Sequence, residues 1–132
     1  MTFLIPCAGL GTRFHSDMPK PLIEVLLGRS MLDLVLENLR QQEDHRFICC
    51  ILKEHEFKFN LSYEIKKFAP YVEIYIIEEL SDGPASTCYE AKNIVDDNDE
   101  LIIINCDQII EDFNVGRFLQ FCYAHNYDGV LG

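Results

Sequence analysis

The chain alternates between short apolar runs rich in β-branched residues and longer segments whose apolar residues recur at helical spacing. Runs of the first kind, bounded by glycine, proline or acidic turns, are typical of buried strands. They predict four strands, at residues 3–6, 46–52, 72–77 and 101–105, and the start of a fifth at residues 128–132.

The segments between these strands predict helices. The leucine and valine residues between 32 and 39 follow one helical face, and Ser30 stands three residues before Asp33, as in an N-terminal cap. A helix is therefore predicted from Ser30 to about residue 41. Further helical segments are predicted at residues 55–69, from Pro84 to about residue 95, and at residues 113–125.

Strands that alternate with helices favour parallel pairing through right-handed crossovers. The sequence therefore predicts an α/β fold, a Rossmann-like doubly wound and mainly parallel sheet, in a single domain over residues 1–132. Ligands of such sheets bind beyond the carboxyl ends of the strands, where the strand order reverses. We assume from common strand orders that the first and fourth strands are neighbours, so that the turns following them meet at one site.

Charge and composition narrow the function. The 132 residues carry a formal net charge of −11, which disfavours nucleic acid as a main partner because phosphate backbones require a basic surface. No apolar stretch approaches the roughly 18 residues of a membrane span, and the N-terminus lacks the pattern of a signal peptide, so we expect a cytoplasmic protein with no membrane partner. The charge is uneven: residues 1–22 carry +1, and the remainder therefore −12.

The cysteines do not form a metal or disulfide pattern. None of the six belongs to a CxxC pair, and most stand within apolar runs. Buried free thiols are therefore expected at Cys7, Cys49, Cys50, Cys88, Cys106 and Cys122.

The first strand runs into an unusual loop, AGLGTRFHSDMPKP, at residues 8–21. Gly9 and Gly11 allow backbone amides to approach an anion, while Thr12, Arg13 and Lys20 supply a hydroxyl, a guanidinium and an ammonium group. A dinucleotide fingerprint would need glycine where Phe14 stands, and no lysine follows either glycine as a P-loop requires. The loop is predicted to cradle phosphate, the alternative being a merely flexible glycine turn.

The fourth strand ends in NCDQ, residues 105–108. Asp107 follows an apolar strand, where packing gives no reason for a carboxylate, and one aspartate can hold Mg²⁺ together with phosphate oxygens and water. The alternative is an aspartate that caps a turn or helix. Asn105 and Gln108 could orient Asp107, contact a ligand, or serve only as polar turn residues.

Taken together, these motifs resemble the sugar-phosphate nucleotidylyltransferases. The GxGTR loop from Gly9 to Arg13, the following Pro19-Lys20, the SDGPAST turn at 81–87 and the NCDQ turn match that family's signature along the whole chain. The NxDQ form most resembles the branch associated with capsule and surface-polysaccharide synthesis. The resemblance implies the nucleotide-diphospho-sugar transferase type of sheet, with the C-terminal part missing, because members usually run well past two hundred residues.

The resemblance also implies roles for individual residues. Ala8 and Gly9 would lie against the base and Gly83 near the base and ribose, while Asp107 would ligate Mg²⁺. Arg13 and Lys20 would bind the triphosphate and act in catalysis. The full implied nucleotide-binding set is Ala8, Gly9, Leu10, Gly11, Thr12, Arg13, Lys20, Glu78, Gly83 and Asp107.

The implied reaction is attack of a phosphate-monoester oxygen on the α-phosphorus of a nucleoside triphosphate, with release of pyrophosphate. No general base is required, so His15 is interpreted as a solvent or phosphate contact. Glu78, which accepts but cannot donate hydrogen bonds when ionised, favours an exocyclic amino group and hence CTP, the alternative being a solvated strand-end charge. Other readings are a non-catalytic nucleotide-binding module and a cytidylyltransferase for a non-sugar phosphate. An unpaired strand edge would favour a homo-oligomer.

Overall fold

The computed structural model describes residues 1–11, 17–40 and 45–125, and it has alternating strands and helices. In chain order the strands and α-helices are β1 (Thr2–Pro6), β2 (Glu24–Leu26), β3 (Arg29–Ser30), α1 (Met31–Leu39), β4 (Arg46–Leu52), α2 (Lys53–Phe59), α3 (Leu61–Phe68), β5 (Glu73–Ile77), α4 (Pro84–Glu90), β6 (Leu101–Ile103) and α5 (Val115–His125). Single 3₁₀ turns cover Lys20–Leu22 and Ala91–Ile94.

The main sheet has four parallel strands in the order β5-β4-β1-β6. Phe3 in β1 pairs with Phe47 on one side and with Ile102 on the other. The strand order therefore reverses at β1, which confirms the predicted doubly wound α/β fold. It also confirms that the first and fourth strands of this sheet are neighbours.

The core lies on both faces of this sheet because β1 alternates its side chains between them. Phe3 and Ile5 pack on the face covered by α1 and α3, where Leu36 and Ile65 are buried. Leu4 packs on the other face. Residues of α4 and the following 3₁₀ turn, Cys88 and Ala91, cover that second face.

Helix α1 begins as the sequence predicts. The Ser30 hydroxyl accepts a hydrogen bond of 3.2 Å from the Asp33 amide, and the Arg29 guanidinium bonds the Asp33 carboxylate at 2.7 Å. The helix ends at Leu39 with Arg40 as its C-cap, and residues 41–44, where the predicted end falls, lie outside the described residues.

The segment predicted as one helix at 55–69 is two helices. Asn60 takes a left-handed conformation (φ 50°) that ends α2 and begins α3, and asparagine tolerates this region better than most residues. The Glu56 carboxylate then accepts bonds from the amide and hydroxyl of Ser62, which ties the two helices together.

Other bounds also differ from the predictions. The stretch treated as a connection contains the β2–β3 hairpin, whose residues 24–26 are exposed and therefore give no burial pattern. β6 ends at Ile103 rather than at residue 105, α4 gives way to a 3₁₀ turn after Glu90, and α5 begins at Val115. The predicted fifth strand, 128–132, lies outside the described residues.

All six cysteines are free thiols, and five of them are buried, whereas Cys122 is partly exposed. The expectation of buried thiols is thus confirmed for five positions. Among the described residues, no helix is long and apolar enough to cross a membrane.

Candidate functional site

The first loop follows β1, which lies between β4 and β6 in the sheet. The Cys7 amide donates to the Cys50 carbonyl at 2.8 Å, which keeps the chain beside β4 for one residue beyond the strand. Ala8 is then buried, whereas Gly9 and Leu10 are exposed. The loop therefore turns outward at Gly9, at the carboxyl end of the sheet.

Gly11 brings this loop against the chain at Lys20. It has a φ of +64°, and a Cβ placed on it would lie 3.2 Å from the Lys20 Cβ. Residues with a side chain pay a steric cost in this region of φ, and here the added carbon would also press on Lys20. Thr12 and Arg13, with His15, lie outside the described residues.

Lys20 is held by a short rigid turn. Pro19 has a φ of −62°, the Leu22 amide donates to the Pro19 carbonyl at 2.9 Å, and Pro21 is buried. The Lys20 ammonium lies 2.6 Å from the Asp107 carboxylate, and their side chains are 23% and 28% exposed. This half-buried ion pair joins the first loop to the turn after β6.

The chain stays hydrogen-bonded to β1 for one residue beyond β6 before it turns. The Ile104 amide donates to the Leu4 carbonyl at 3.1 Å, so the chain still runs beside β1 when it reaches NCDQ. The Asn105 side-chain amide donates to the Gln108 side-chain oxygen at 2.8 Å. Asn105 and Gln108 thus bond to each other across the turn, and the bonded partner of Asp107 is Lys20.

Gly83 lies in a second turn that comes close to the first loop. Its φ is +132°, and Pro84 follows it as the first residue of α4. The Gly83 carbonyl accepts bonds of 3.2 Å from the hydroxyls of both Ser81 and Thr87, which are themselves 2.6 Å apart. No role for these two hydroxyls followed from the sequence motifs, although serine and threonine hydroxyls commonly bond to nearby backbone carbonyls.

The two loops enclose a cleft of about 100 Å³. Ala8 and Gly9 line it from the first loop, Gly83 from the second turn, and Lys20 from the side of Asp107. Asn105 and Cys106 also line it, together with Ser81 and Thr87. Four predicted nucleotide-binding residues therefore share one cleft, and Asp107 is tied to it through Lys20.

Other predicted residues lie apart from this cleft. Leu10 and Gly11 do not line it, although Gly11 packs on Lys20. The Glu78 carboxylate lies 2.5 Å from the Lys53 ammonium, with 71% of the Glu78 side chain exposed. Glu78 therefore forms a solvent-exposed ion pair in this structure and does not line the cleft.

The residues around Asp107 are compatible with a single Mg²⁺ ion. Within the described ranges, no group of three or more histidine, cysteine or acidic residues is arranged to hold a metal. Mg²⁺ commonly binds one or two carboxylates and completes its coordination with substrate phosphates and water. Asp107 is partly exposed and pairs with Lys20, which lines the cleft. It could therefore supply the one carboxylate of such a site, with phosphate oxygens and water as the remaining ligands.

The thiols at and behind the cleft are shifted in opposite directions: the hydrogen bond with the Cys7 thiol lowers the pKa of Cys106, which lines the cleft. Contact with the Cys106 thiol, contact with the Cys49 thiol and burial together raise the pKa of Cys7 well above its ordinary value. Burial raises the pKa of Cys88 to about 11.

Comparison with known proteins places the chain in a family. A model of the nucleotidyl transferase family matches residues 4–131. HddC of Yersinia pseudotuberculosis is 24% identical, with a TM-score of 0.74 over 92% of this chain and 53% of that one, and it has also been solved with GMP-PN. A search of curated proteins found no match.

Two more distant structures share the fold. The nucleoside-diphosphate-sugar pyrophosphorylase of Vibrio cholerae RC9 is 18% identical, with a TM-score of 0.69 over 90% of this chain and 52% of that one. Rv0371c of Mycobacterium tuberculosis H37Rv, solved with manganese, is 13% identical, with a TM-score of 0.60 over 94% and 58%. The chain spans just over half the length of these proteins, and at such identities the structures establish the fold alone. The family match covers nearly all of the sequence, and the chain belongs to the nucleotidyl transferase family.

Proposed function

We propose that this chain binds a nucleoside triphosphate in the cleft between its two loops and transfers the nucleotidyl group to a sugar phosphate, with release of pyrophosphate. One observation carries the proposal: Lys20 lines the cleft and pairs with Asp107 at 2.6 Å. A fixed cation beside a carboxylate at the carboxyl ends of β1 and β6 suits a polyphosphate and its metal ion.

The proposed reaction needs its two substrates held in line and does not need a general base. The acceptor, a phosphate monoester with a second pKa near 6, is already largely dianionic at neutral pH. Its oxygen attacks the α-phosphorus, the bond from that phosphorus to the bridging oxygen breaks, and pyrophosphate leaves with the electron pair. Lys20, together with Arg13 and the loop amides, would hold the phosphates in line and stabilise the developing negative charge.

Asp107 would hold the Mg²⁺ ion that accompanies the triphosphate. When bound, the ion would neutralise part of the charge on the phosphate oxygens. In this structure the Asp107 carboxylate has the Lys20 ammonium as its partner. A bound triphosphate offers Lys20 a second anionic partner, so we expect ligand binding to loosen the ion pair and free Asp107 for the metal.

The finer assignment rests on the sequence motifs. A sugar phosphate as acceptor, and a place in capsule or surface-polysaccharide synthesis in the cytoplasm, are proposed from the NxDQ form of residues 105–108. CTP is proposed as the donor because an ionised Glu78 accepts hydrogen bonds and would suit an exocyclic amino group. For this role Glu78 would have to leave Lys53, with which it pairs outside the cleft. The second candidate is a non-catalytic nucleotide-binding module, which would use the same cleft between the two loops without transferring the nucleotidyl group.

The test measures binding and turnover separately. Thermal shift with each nucleoside triphosphate and Mg²⁺ measures binding, and pyrophosphate release with a panel of sugar 1-phosphates measures turnover. Lys20→Ala is compared with Lys58→Ala. Lys58 is an exposed lysine that pairs with Glu54 and does not line the cleft. Release that requires Lys20 but not Lys58 supports the enzyme, binding without release supports the module, and no binding by any triphosphate overturns both.

A further inference from the structure

Three buried thiols lie directly behind the cleft. Cys7 follows β1, Cys49 lies in the neighbouring strand β4, and Cys106 follows the strand on the other side, β6. Their exposed fractions are 1%, 0% and 2%, and all three belong to the same core cluster. Cys7 directly precedes Ala8, and Cys106 directly precedes Asp107, so two of the thiols adjoin the residues assigned to the nucleotide and the metal.

The register of the sheet, extended three residues beyond the end of β6, aligns Cys7 with Cys106. Leu4 pairs with Ile103, and the bond from the Ile104 amide to the Leu4 carbonyl carries the pairing beyond the end of β6. Cys7 stands three residues after Leu4, and Cys106 three residues after Ile103. Neighbouring parallel chains lie about 4.8 Å apart, which is within the Cα separation that a disulfide spans.

Cys106 is the member of this cluster that reaches the cleft. Cys7 and Cys106 belong to the same core cluster, and Cys106 lines the cleft, whereas Cys7 and Cys49 do not. A small reagent that enters the cleft would therefore meet Cys106 first and find the Cys7 thiol directly behind it.

We propose that Cys106 and Cys7 form an oxidisable dithiol pair at the inner wall of the cleft, a modification site for peroxides. The Cys106 sulfur, losing its proton, attacks one oxygen of hydrogen peroxide, the O–O bond breaks, and the products are Cys106 sulfenic acid and water. The Cys7 sulfur, losing its proton in turn, attacks the Cys106 sulfur, and the sulfenic oxygen leaves as water. Two thiols are oxidised to one disulfide, and one peroxide is reduced to two waters.

The link would act on the site described above, and this consequence rests on the proposed function. A disulfide pulls together the backbone just before Ala8 and the backbone just before Asp107. Asp107 then loses the freedom to move from Lys20 towards a metal ion, so nucleotide binding weakens. A bound nucleotide in turn covers Cys106 and slows its oxidation.

The first experiment reads the covalent link itself. The full chain is treated with hydrogen peroxide, the remaining thiols are alkylated, and intact mass and peptide mapping follow. We expect the oxidised chain to carry two fewer alkyl groups than the untreated chain, because the two linked sulfurs cannot be alkylated, and the link to map to a Cys7–Cys106 peptide pair. Cys106→Ala and Cys7→Ala should each abolish the link. Cys49→Ala, which removes a buried thiol from the same cluster, and Cys122→Ala, which removes the partly exposed one, should keep it.

Circular dichroism melting before oxidation shows which variants are folded, and only folded variants are compared. A Cys7–Cys49 link, or oxidation of Cys122 at peroxide levels that leave Cys7 and Cys106 as free thiols, overturns the proposal. If either alanine variant of the pair is unfolded, the wild-type peptide map decides by itself, because it identifies the linked residues directly.

A second arm separates this proposal from the proposed function. Link formation is timed with and without a nucleoside triphosphate and Mg²⁺, and nucleotide binding is measured before and after oxidation. A link that forms in a protein that binds no triphosphate supports the dithiol and contradicts the function. Nucleotide binding by a protein that forms no link supports the function and contradicts the dithiol.

Discussion

Replacement of Gly11 by alanine tests how the first loop is held against Lys20. Gly11 has a φ of +64°, and the added Cβ would lie 3.2 Å from the Lys20 Cβ, closer than relaxed packing allows. The left-handed conformation costs a residue with a side chain roughly 1–2 kcal/mol. The close approach adds to that cost because the neighbouring atom is the Cβ of Lys20, which lies within a turn fixed by two prolines.

We therefore expect Gly11→Ala to lower the free energy of unfolding by about 1–2 kcal/mol. Urea denaturation monitored by circular dichroism measures it, because the midpoint should fall while the slope stays constant. The same variant should bind nucleoside triphosphate more weakly, since Lys20 has to move. The matched control is Gly9→Ala, because a Cβ at Gly9 meets nothing within 4 Å.

Gly9→Ala should keep the stability of the wild type to within about 0.5 kcal/mol. It should still weaken nucleotide binding, because Gly9 lines the cleft. Equal stability of Gly11→Ala and the wild type would refute the argument from the backbone. An equal loss of stability in both variants would refute the assignment of the strain to Gly11.

Three further predictions follow from single features of the structure. Lys20→Ala should lower the rate of pyrophosphate release by on the order of 10²–10³, and Lys58→Ala should leave it unchanged, since only Lys20 lines the cleft; near-normal turnover of Lys20→Ala would contradict the phosphate role. Because Asn60 has a φ of 50°, Asn60→Gly should keep or raise the midpoint of urea unfolding, whereas Asn60→Ala should lower the midpoint and reduce the free energy of unfolding by about 1 kcal/mol. Equal midpoints of the two variants would contradict the left-handed junction. The ammonium group of Met1, with the Thr2 hydroxyl, lowers the pKa of the Asp99 carboxyl, so its contribution to stability is present at neutral pH and is lost as acid protonates it; Asp99→Asn should therefore flatten the melting temperature profile below about pH 4, and an unchanged profile would contradict it.

Much of the fold follows from local patterns in the sequence. The strands of the main sheet are recognisable because they are short apolar runs, of which β1 and β4 are buried along most of their length, and α1 is recognisable because Ser30 caps it. The break at Asn60 is not predictable from periodicity, because the amphipathic pattern continues across a single left-handed residue. The β2–β3 hairpin also has no local signal, since the residues of β2 are exposed and present no alternation between buried and exposed positions.

The site is only partly readable from the sequence. Glycine, lysine and aspartate motifs indicate which residues to inspect, but the Lys20–Asp107 pair spans 87 residues and depends on β1 lying next to β6. The clamp of Ser81 and Thr87 on the Gly83 carbonyl depends on the backbone path of one turn. The Cys7–Cys106 contact requires the register of the two strands, which no local pattern specifies.

The most direct test of the central claim is a crystal structure of the protein with a non-hydrolysable nucleoside triphosphate and Mn²⁺ in place of Mg²⁺, analysed by anomalous scattering. We expect phosphate oxygens at the Lys20 ammonium and an anomalous peak from a metal ion coordinated by the Asp107 carboxylate. A nucleotide bound elsewhere, or a metal ion away from Asp107 while the Lys20–Asp107 pair stays intact, would contradict it.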